Sequence, residues 1–479
     1  MNVSIILFII GWILNFEAAF MALPCIVAVI YGEREILAFL ASMALCLVIG
    51  IPLVLQKPKS RAFYTKEGFI AVAMSWIILS IMGALPFIFS GAIPNFVDAL
   101  FETVSGFTTT GSSILSDVES LPYSVLFWRS FTHWIGGMGV LVFILSLLPL
   151  TGGYHMNLMK AESPGPSVTK LVPRVRSTAK ILYSIYLALT VIQVLFLLIG
   201  KMPLFDALTI TFGTAGTGGF GIKNDSMTSY SPYLQNVVTV FMILFGINFN
   251  VYFLLLIRKF KQACLFEELR YYLGIIAAAI VLIGFNIRDF FPTLGEAFRQ
   301  AAFQVGSIIT TTGFATTDFN LWPGASRTIL VILMFVGACA GSTGGGIKVS
   351  RLVILLKTIR KELHTLIHPH TIKKIEMDQK PVEHEVVRSV NVFIITYLII
   401  FTFSVLLISF NELDLVTNFT AVATALNNVG PGLELVGPSA NFGFLSAPSK
   451  LVLIFDMLAG RLEIFPLLLL FTPSTWKKF

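Results

Sequence analysis

Charge is scarce in this chain. Lys, Arg, Asp and Glu together supply 12% of its 479 residues, whereas 56% are hydrophobic. A soluble domain of this length has no core large enough to bury that much apolar surface, so the composition excludes a globular enzyme. Cysteine is nearly missing too. Cys25, Cys46, Cys264 and Cys339 lie in or beside apolar runs with no CxxC spacing, which excludes a disulfide framework and a cysteine-based zinc site and leaves buried thiols that pack as small hydrophobes. Histidine numbers six, and no HExxH is present. His364, His368 and His370 crowd into "HTLIHPH", near His384. Pro369 breaks the helix that would align them as ligands, so the segment reads as solvated, with a membrane-embedded metalloenzyme as the distant alternative that zinc analysis would separate. The glycine-rich "GTGGFG" (Gly216 to Gly221) has no strand before it, so a dinucleotide loop is excluded and no bound organic cofactor is expected.

What is there is apolar length. Runs near Ile5–Ile30, Ile36–Leu55, Phe69–Phe89, Ser124–Leu150, Ala179–Ile199, Asn236–Ile257, Leu273–Phe285, Thr328–Lys357, Val390–Ser409 and Lys450–Phe471 predict an all-α integral membrane protein of about ten transmembrane helices, because barrel strands would be shorter and alternate in polarity. The first run is too long for the h-region of a cleavable signal and reads as a retained helix. The net charge of +7 does not point to nucleic acid, since the basic residues occupy the short joints between apolar runs. They cluster in "KPKSRAFYTK" (Lys57 to Lys66), at Lys170, Arg174, Arg176 and Lys180, in "RKFK" (Arg258 to Lys261), in "KTIRKEL" (Lys357 to Leu363) with Lys373 and Lys374, and at Lys477 and Lys478. The positive-inside rule places these clusters and both termini in the cytoplasm. The opposite side carries Asp98, Glu102, Asp117, Glu119, Asp206, Asp225, Asp289, Asp318, Glu412, Asp414 and Glu434, and is expected to attract cations.

After a helix pair (1–60), one unit repeats four times, at 61–160, 161–265, 266–375 and 376–479. Each unit holds a spanning helix, a short apolar helix, an elbow rich in Gly, Thr and Asn, and a second spanning helix. Without gaps, "DALFETVSGFTTTGSS" (Asp98 to Ser113) lies over "DALTITFGTAGTGGFG" (Asp206 to Gly221), and Phe101–Gly111 over Phe303–Gly313; the fourth copy is "FTAVATALNNVGPGLE" (Phe419 to Glu434). All four elbows share the outer side, which makes the repeats parallel, unlike the inverted repeats common in rocking transporters. A segment that enters the hydrocarbon and leaves by the same face is tolerable only where it is buried in protein or lines water, so the elbows are expected to meet on an aqueous axis. Thr109, Thr110 and Gly111, Thr217, Gly218 and Gly219, Thr311, Thr312 and Gly313, and Asn428, Val429 and Gly430 are the candidate ligands. Their hard oxygens would replace the hydration shell of a monovalent cation, with the threonines in extended backbone and glycine at the angles that turn carbonyls inward.

Two further features lie deep in the membrane. "GACAGSTGGGIK" (Gly337 to Lys348) carries too much glycine for continuous helix at about 1 kcal/mol per glycine relative to alanine. It is expected to form an irregular loop below the elbows, with Gly341, Ser342, Thr343, Gly344, Gly345, Gly346 and Lys348 as gate residues. Arg461 stands near the centre of the run Leu453–Phe471, where an arginine costs about 2.5–3.5 kcal/mol. Asp456 and Glu463 lie at spacings that put neither on its helical face, so it is expected to face the pore.

These elbows, together with "HWIGGMGVLVF" (His133 to Phe143), "GSTGGGIKVSR" (Gly341 to Arg351) and "AGRLEIF" (Ala459 to Phe465), make the whole chain similar to the TrkH-type membrane subunits of bacterial Trk potassium uptake systems. The N-terminal helix pair sets it apart from the shorter KtrB-type relatives. The resemblance implies K⁺ as the transported ion, four units around one inner-membrane pore, and selection of K⁺ over Na⁺ through a glycine in every filter strand. It also implies gating by the third-unit loop and the fourth-unit arginine, a homodimer in membrane lipid, and a cytoplasmic nucleotide-binding regulator of the TrkA type. No enzyme activity is implied. Channel-like flux and coupling to H⁺ or Na⁺ both fit this reading.

Overall fold

The computed structural model describes residues 2–56, 58, 64–139, 175–371 and 374–476. The basic residues Lys57, Lys170, Arg174, Lys373, Lys477 and Lys478 and the second half of "HWIGGMGVLVF" lie outside the described residues. The fold is helical, with a single two-residue hairpin pair among the described residues, β1 (Glu376–Met377) and β2 (Lys380–Pro381). Helices α1 (Val3–Tyr31) and α2 (Ile36–Leu55) form the N-terminal pair. The first unit runs α3 (Thr65–Phe89), α4 (Phe96–Phe107) and α5 (Tyr123–Met138). In the second, α6 (Val175–Ile199) and α7 (Leu204–Gly216) precede α8 (Pro232–Phe245) and α9 (Phe249–Leu256), with the short α10 (Phe260–Cys264) as a joint. The third contains α11 (Glu267–Asn286), α12 (Leu294–Ile309), α13 (Gly324–Val336) and α14 (Val349–Ile367). The fourth contains α15 (His384–Ser409), α16 (Leu415–Asn427), α17 (Ala447–Arg461), α18 (Phe465–Phe471) and α19 (Pro473–Trp476).

Helices α1, α2, α3, α6, α11 and α15 are long and apolar enough to cross a bilayer. The short helices α4, α7, α12 and α16, of 12 to 16 residues, reach about 18–24 Å at 1.5 Å per residue and so stop inside the membrane. Their starts are written locally. Asn95 caps α4 by accepting from the Val97 amide (2.8 Å), Thr293 caps α12 through the Glu296 amide (3.2 Å), and Asp414 caps α16 through the Thr417 amide (2.9 Å); such caps satisfy amides that the first turn leaves without partners. Hydrogen bonds from the Thr417 hydroxyl and amide hold the Asp414 carboxyl below its ordinary range. A carboxylate so depressed stabilises the fold above the unfolded-state pKa, and that contribution is lost as pH falls through the folded value. Asp414→Asn should therefore flatten the acid side of thermal stability measured in detergent below about pH 4.

The structure departs from the apolar runs at two second helices. The run Asn236–Ile257 bends by 90° between α8 and α9. The run Lys450–Phe471 breaks after Arg461, where Glu463 and Ile464 have φ of 54° and 68°. Hydropathy cannot register either break, because buried protein carbonyls and side chains satisfy the interrupted backbone. Arg461 thus ends α17 and is not mid-helix.

The loops on the elbow side join the units in a closed circuit. Val118 donates to Asn224 (2.8 Å), Met227 to the Ala315 carbonyl (2.9 Å), Glu434 to Asn320 (3.0 Å), and Phe442 to the Ser113 carbonyl (2.8 Å). The acidic side is also less bare than its sequence implies. Lys450 pairs with Asp98 (2.6 Å), Arg327 with Glu434 (3.2 Å) and Arg129 with Glu102 (2.6 Å). These three cations sit inside or beside apolar runs, where a count of loop charge overlooks them.

Candidate functional site

Each short helix ends where its elbow begins, and the four elbows share one backbone trace. Thr109, Thr217, Thr311 and Asn428 are left-handed, with φ between 55° and 58°, and Gly111, Gly219, Gly313 and Gly430, two residues on, have φ of 84°, 73°, 86° and 102°. The threonines are therefore not in a plain extended segment: the strand alternates hand. A left-handed residue costs about 1–2 kcal/mol when it carries a side chain, so four equivalent instances mark a conformation that the surroundings impose. Local hydroxyl bonds help to hold it. Thr108 and Thr310 donate back to the carbonyls of Val104 (2.7 Å) and Gly306 (2.6 Å) and pair with the hydroxyls of Thr110 (2.7 Å) and Thr312 (2.8 Å). That explains the threefold threonine of elbows one and three.

The four strands converge. A Cβ built on Gly111 would strike the carbonyl of Gly218; on Gly219, that of Thr312; on Gly313, that of Val429; and on Gly430, at 2.9 Å, that of Thr110. Every glycine abuts the carbonyl that precedes the glycine of the next unit, and the sequence closes on itself, so Thr110, Gly218, Thr312 and Val429 form one ring. Ser112 and Asn428 fasten the last strand to the first, donating to the Gly430 carbonyl (3.0 Å) and the Thr110 hydroxyl (2.9 Å). Outside the ring lies an open cup of about 130 Å³, into which all four glycines face. The carboxyl ends of the short helices lead directly into the strands, and their partial negative charge favours a cation there.

Below the ring the chain from Gly337 to Lys348 forms an irregular loop between α13 and α14. Its Gly345 amide donates to the Thr311 hydroxyl (2.6 Å) and its Gly346 amide to the Asn427 carbonyl (3.0 Å). Thr343 bonds the Phe245 carbonyl (3.3 Å), and Ser342 the carbonyl of Cys339 (2.7 Å). Lys348 donates to the Gly344 carbonyl within the loop, and Gly341 accepts from the Phe249 amide (3.0 Å) at the bend of the second unit. Arg461 donates to the carbonyls of Thr343 (2.9 Å) and Gly136 (2.6 Å). It is thus docked on the loop from the fourth unit, while Glu463 pairs with Arg351 and Asp456 accepts from Ser404 (2.8 Å).

Some residues at this site have no signal in the pattern of repeats. Glu268 of α11 is buried and accepts from the amides of Ala340 (2.7 Å) and Ser350 (3.1 Å), one within the loop and one after it. His133 bonds the Gly106 carbonyl through Nδ1 (2.8 Å) and accepts from the Phe220 amide at Nε2 (3.2 Å), so this network fixes the Nδ1–H tautomer. The "GG" after it is steric: a Cβ on Gly136 would meet the Phe107 backbone and one on Gly137 the Gly216 backbone. His133 opens the "HWIGGMGVLVF" motif quoted above, but its filter contacts come only with the fold; Glu268, in the first turn of α11 beside Glu267, carries no cue in the sequence.

The family model for TrkH, described as a cation transport protein, matches residues 35–284 and 291–478. The Trk system potassium uptake protein TrkH of Salmonella typhimurium is 38% identical over 98% of both chains, and that of Escherichia coli K12 is 36% identical over the same shares. The crystal structure of the potassium transporter TrkH from Vibrio parahaemolyticus superposes with a TM-score of 0.87 over the whole of both chains, at 32% identity. With a four-unit ring at its centre and relatives of this length and likeness, the chain belongs to the TrkH family of cation transport proteins.

Proposed function

We propose that this protein takes up potassium across the bacterial inner membrane through one pore formed by four non-identical units at 61–160, 161–265, 266–375 and 376–479. The closed ring of glycine-to-carbonyl approaches carries this reading, because such a ring presents backbone oxygens from four directions to an ion on its axis. Thr109, Thr110, Gly111 and their counterparts in the other three strands, through Asn428, Val429 and Gly430, supply those oxygens. The Gly341–Gly346 loop, with Lys348 and Arg461, closes the pathway below. The names of the relatives, Trk system potassium uptake proteins, support K⁺ as the cargo. They also support assembly into a larger system, which we read as a homodimer that docks a cytoplasmic nucleotide-binding subunit of the TrkA type. Proteoliposome flux under imposed K⁺ and proton gradients tests the transport reading. K⁺ uptake that exceeds Na⁺ uptake supports it, and equal permeation of both contradicts it.

The cytoplasmic side is assigned to the hairpin of β1 and β2. Lys357 of α14 reaches Glu267 (2.5 Å) and the Glu376 carbonyl (2.7 Å), so the hairpin is tied to the helix that continues the loop. Gln379 is exposed at the hairpin turn. A cysteine placed there should resist a membrane-impermeant maleimide in intact cells and react after permeabilisation. Labelling without permeabilisation would invert the topology.

A further inference from the structure

The pair Arg129–Glu102 lies beside the ring. Glu102 sits on α4 with 0% of its side chain exposed, and Arg129 on α5 with 3%; they meet at 2.6 Å. Each charge also holds backbone of a filter strand beyond its glycine. Glu102 accepts from the Ser113 hydroxyl (2.9 Å) and the Ile114 amide (2.9 Å), two and three residues after Gly111. Arg129 donates through Nη1 to the Gly221 carbonyl (2.8 Å), two residues after Gly219, and its guanidinium lies 3.7 Å from the centroid of the Phe220 ring.

Burying two charges is costly unless geometry and further hydrogen bonds compensate. Here the compensating bonds all go to the outer ends of strands one and two, the two strands that approach each other at Gly111 and Gly218. Among the described residues no ion pair joins strands two and three, where the Ala315 amide meets the Ser226 hydroxyl (3.2 Å), and the pair that joins units three and four, Arg327–Glu434, is solvent-exposed at 34% and 44% rather than buried. We infer that the Glu102–Arg129 pair is a positioning element for ion selectivity: it sets the spacing of filter strands one and two, and thereby the width of the carbonyl ring on that side. The arginine is needed as a fork, since a lysine ammonium cannot keep planar contact with Phe220 while serving both Glu102 and Gly221.

This inference rests on the filter reading, and the test separates the two. Arg129→Lys keeps the charge and should lower the K⁺/Na⁺ flux ratio in proteoliposomes about fivefold, as expected when a planar two-sided contact is reduced to a point charge. Ser113→Ala, which leaves the ion pair intact, should lower it about twofold. The exchange Glu102→Arg with Arg129→Glu restores opposite charges but not the backbone contacts, and should fail to restore selectivity. A flux ratio is independent of how much protein folds, so a merely stabilising pair would leave it unchanged. Should Arg129→Lys not be recovered folded, Ser113→Ala decides. If Gly111→Ser alters the ratio while the folded variants of this pair keep the native one, the positioning role is overturned and the filter stands. If Gly111→Ser also leaves it native, the filter reading itself has failed.

Discussion

Gly111→Ser is expected to lower the K⁺/Na⁺ flux ratio by at least about tenfold, the size of effect that follows when a site loses the exact fit of its polar ligands. Two constraints act at once. The residue has φ of 84°, and its missing side chain is the space that the Gly218 carbonyl occupies. A serine must therefore either strain its own backbone or push the carbonyl of the neighbouring strand out of the ring. Because the approach is cyclic, Gly219→Ser and Gly313→Ser should act the same way on Thr312 and Val429. Gly430→Ser should be the mildest of the four, because its Cβ makes the least severe approach, 2.9 Å from the Thr110 backbone carbonyl, although its φ of 102° still disfavours a side chain. The graded outcome, read from the same proteoliposome ratio, distinguishes a shared ring from four unrelated turns. Unchanged ratios in all four variants would remove the filter assignment.

Arg461→Ala is the second large expectation. The guanidinium donates to Thr343 in the loop and to Gly136 at the end of α5, so it fixes the loop to the first unit, and on the gating role proposed above it adds positive charge to the conduction path. At about 4 Å and an effective dielectric near 20, a unit charge repels K⁺ by on the order of 4 kcal/mol. The two carbonyls offset part of that charge. Removing the side chain should raise regulator-independent K⁺ flux about tenfold, equivalent to about 1.4 kcal/mol of barrier, while the K⁺/Na⁺ ratio stays near native because the ring is untouched. Deleting Gly344–Gly346 should act in the same direction. Variants that fold as the native protein does and show no rise in basal flux would make Arg461 a structural tie and the loop a packing kink.

The repeat, the four glycines and the interrupted third-unit helix were legible because each breaks a local rule of helices in membranes: short runs, glycine clusters and polar elbows all stand out against 20-residue apolar spans. The alternation of hand within each elbow was not legible. Nothing in "TTTG" says that its second threonine adopts φ near 57°; that follows from the hydroxyl bonds behind the strand and the carbonyls across the axis. The docking of Arg461 was only half legible. Its cost in the bilayer demands partners, and spacing rules out Asp456 and Glu463, but carbonyls of Thr343 and Gly136, 118 and 325 residues away in sequence, come only with the fold. Arg129 and Lys450 escaped for the opposite reason. Each lies in or at the edge of an apolar run, so a topology argument passes over them, although their partners Glu102 and Asp98 had been counted as bare outer charge.

The central claim is that Thr110, Gly218, Thr312 and Val429 present their carbonyls to one ion on one axis. Anomalous diffraction from crystals soaked in Tl⁺ or Rb⁺, which substitute for K⁺, tests it most directly. The account predicts density on the axis within coordination distance of all four carbonyls, displaced by excess K⁺ and unaffected by equal Na⁺. Density confined to the acidic outer loops, or a ring that stays empty while the protein transports the same ion, would contradict it.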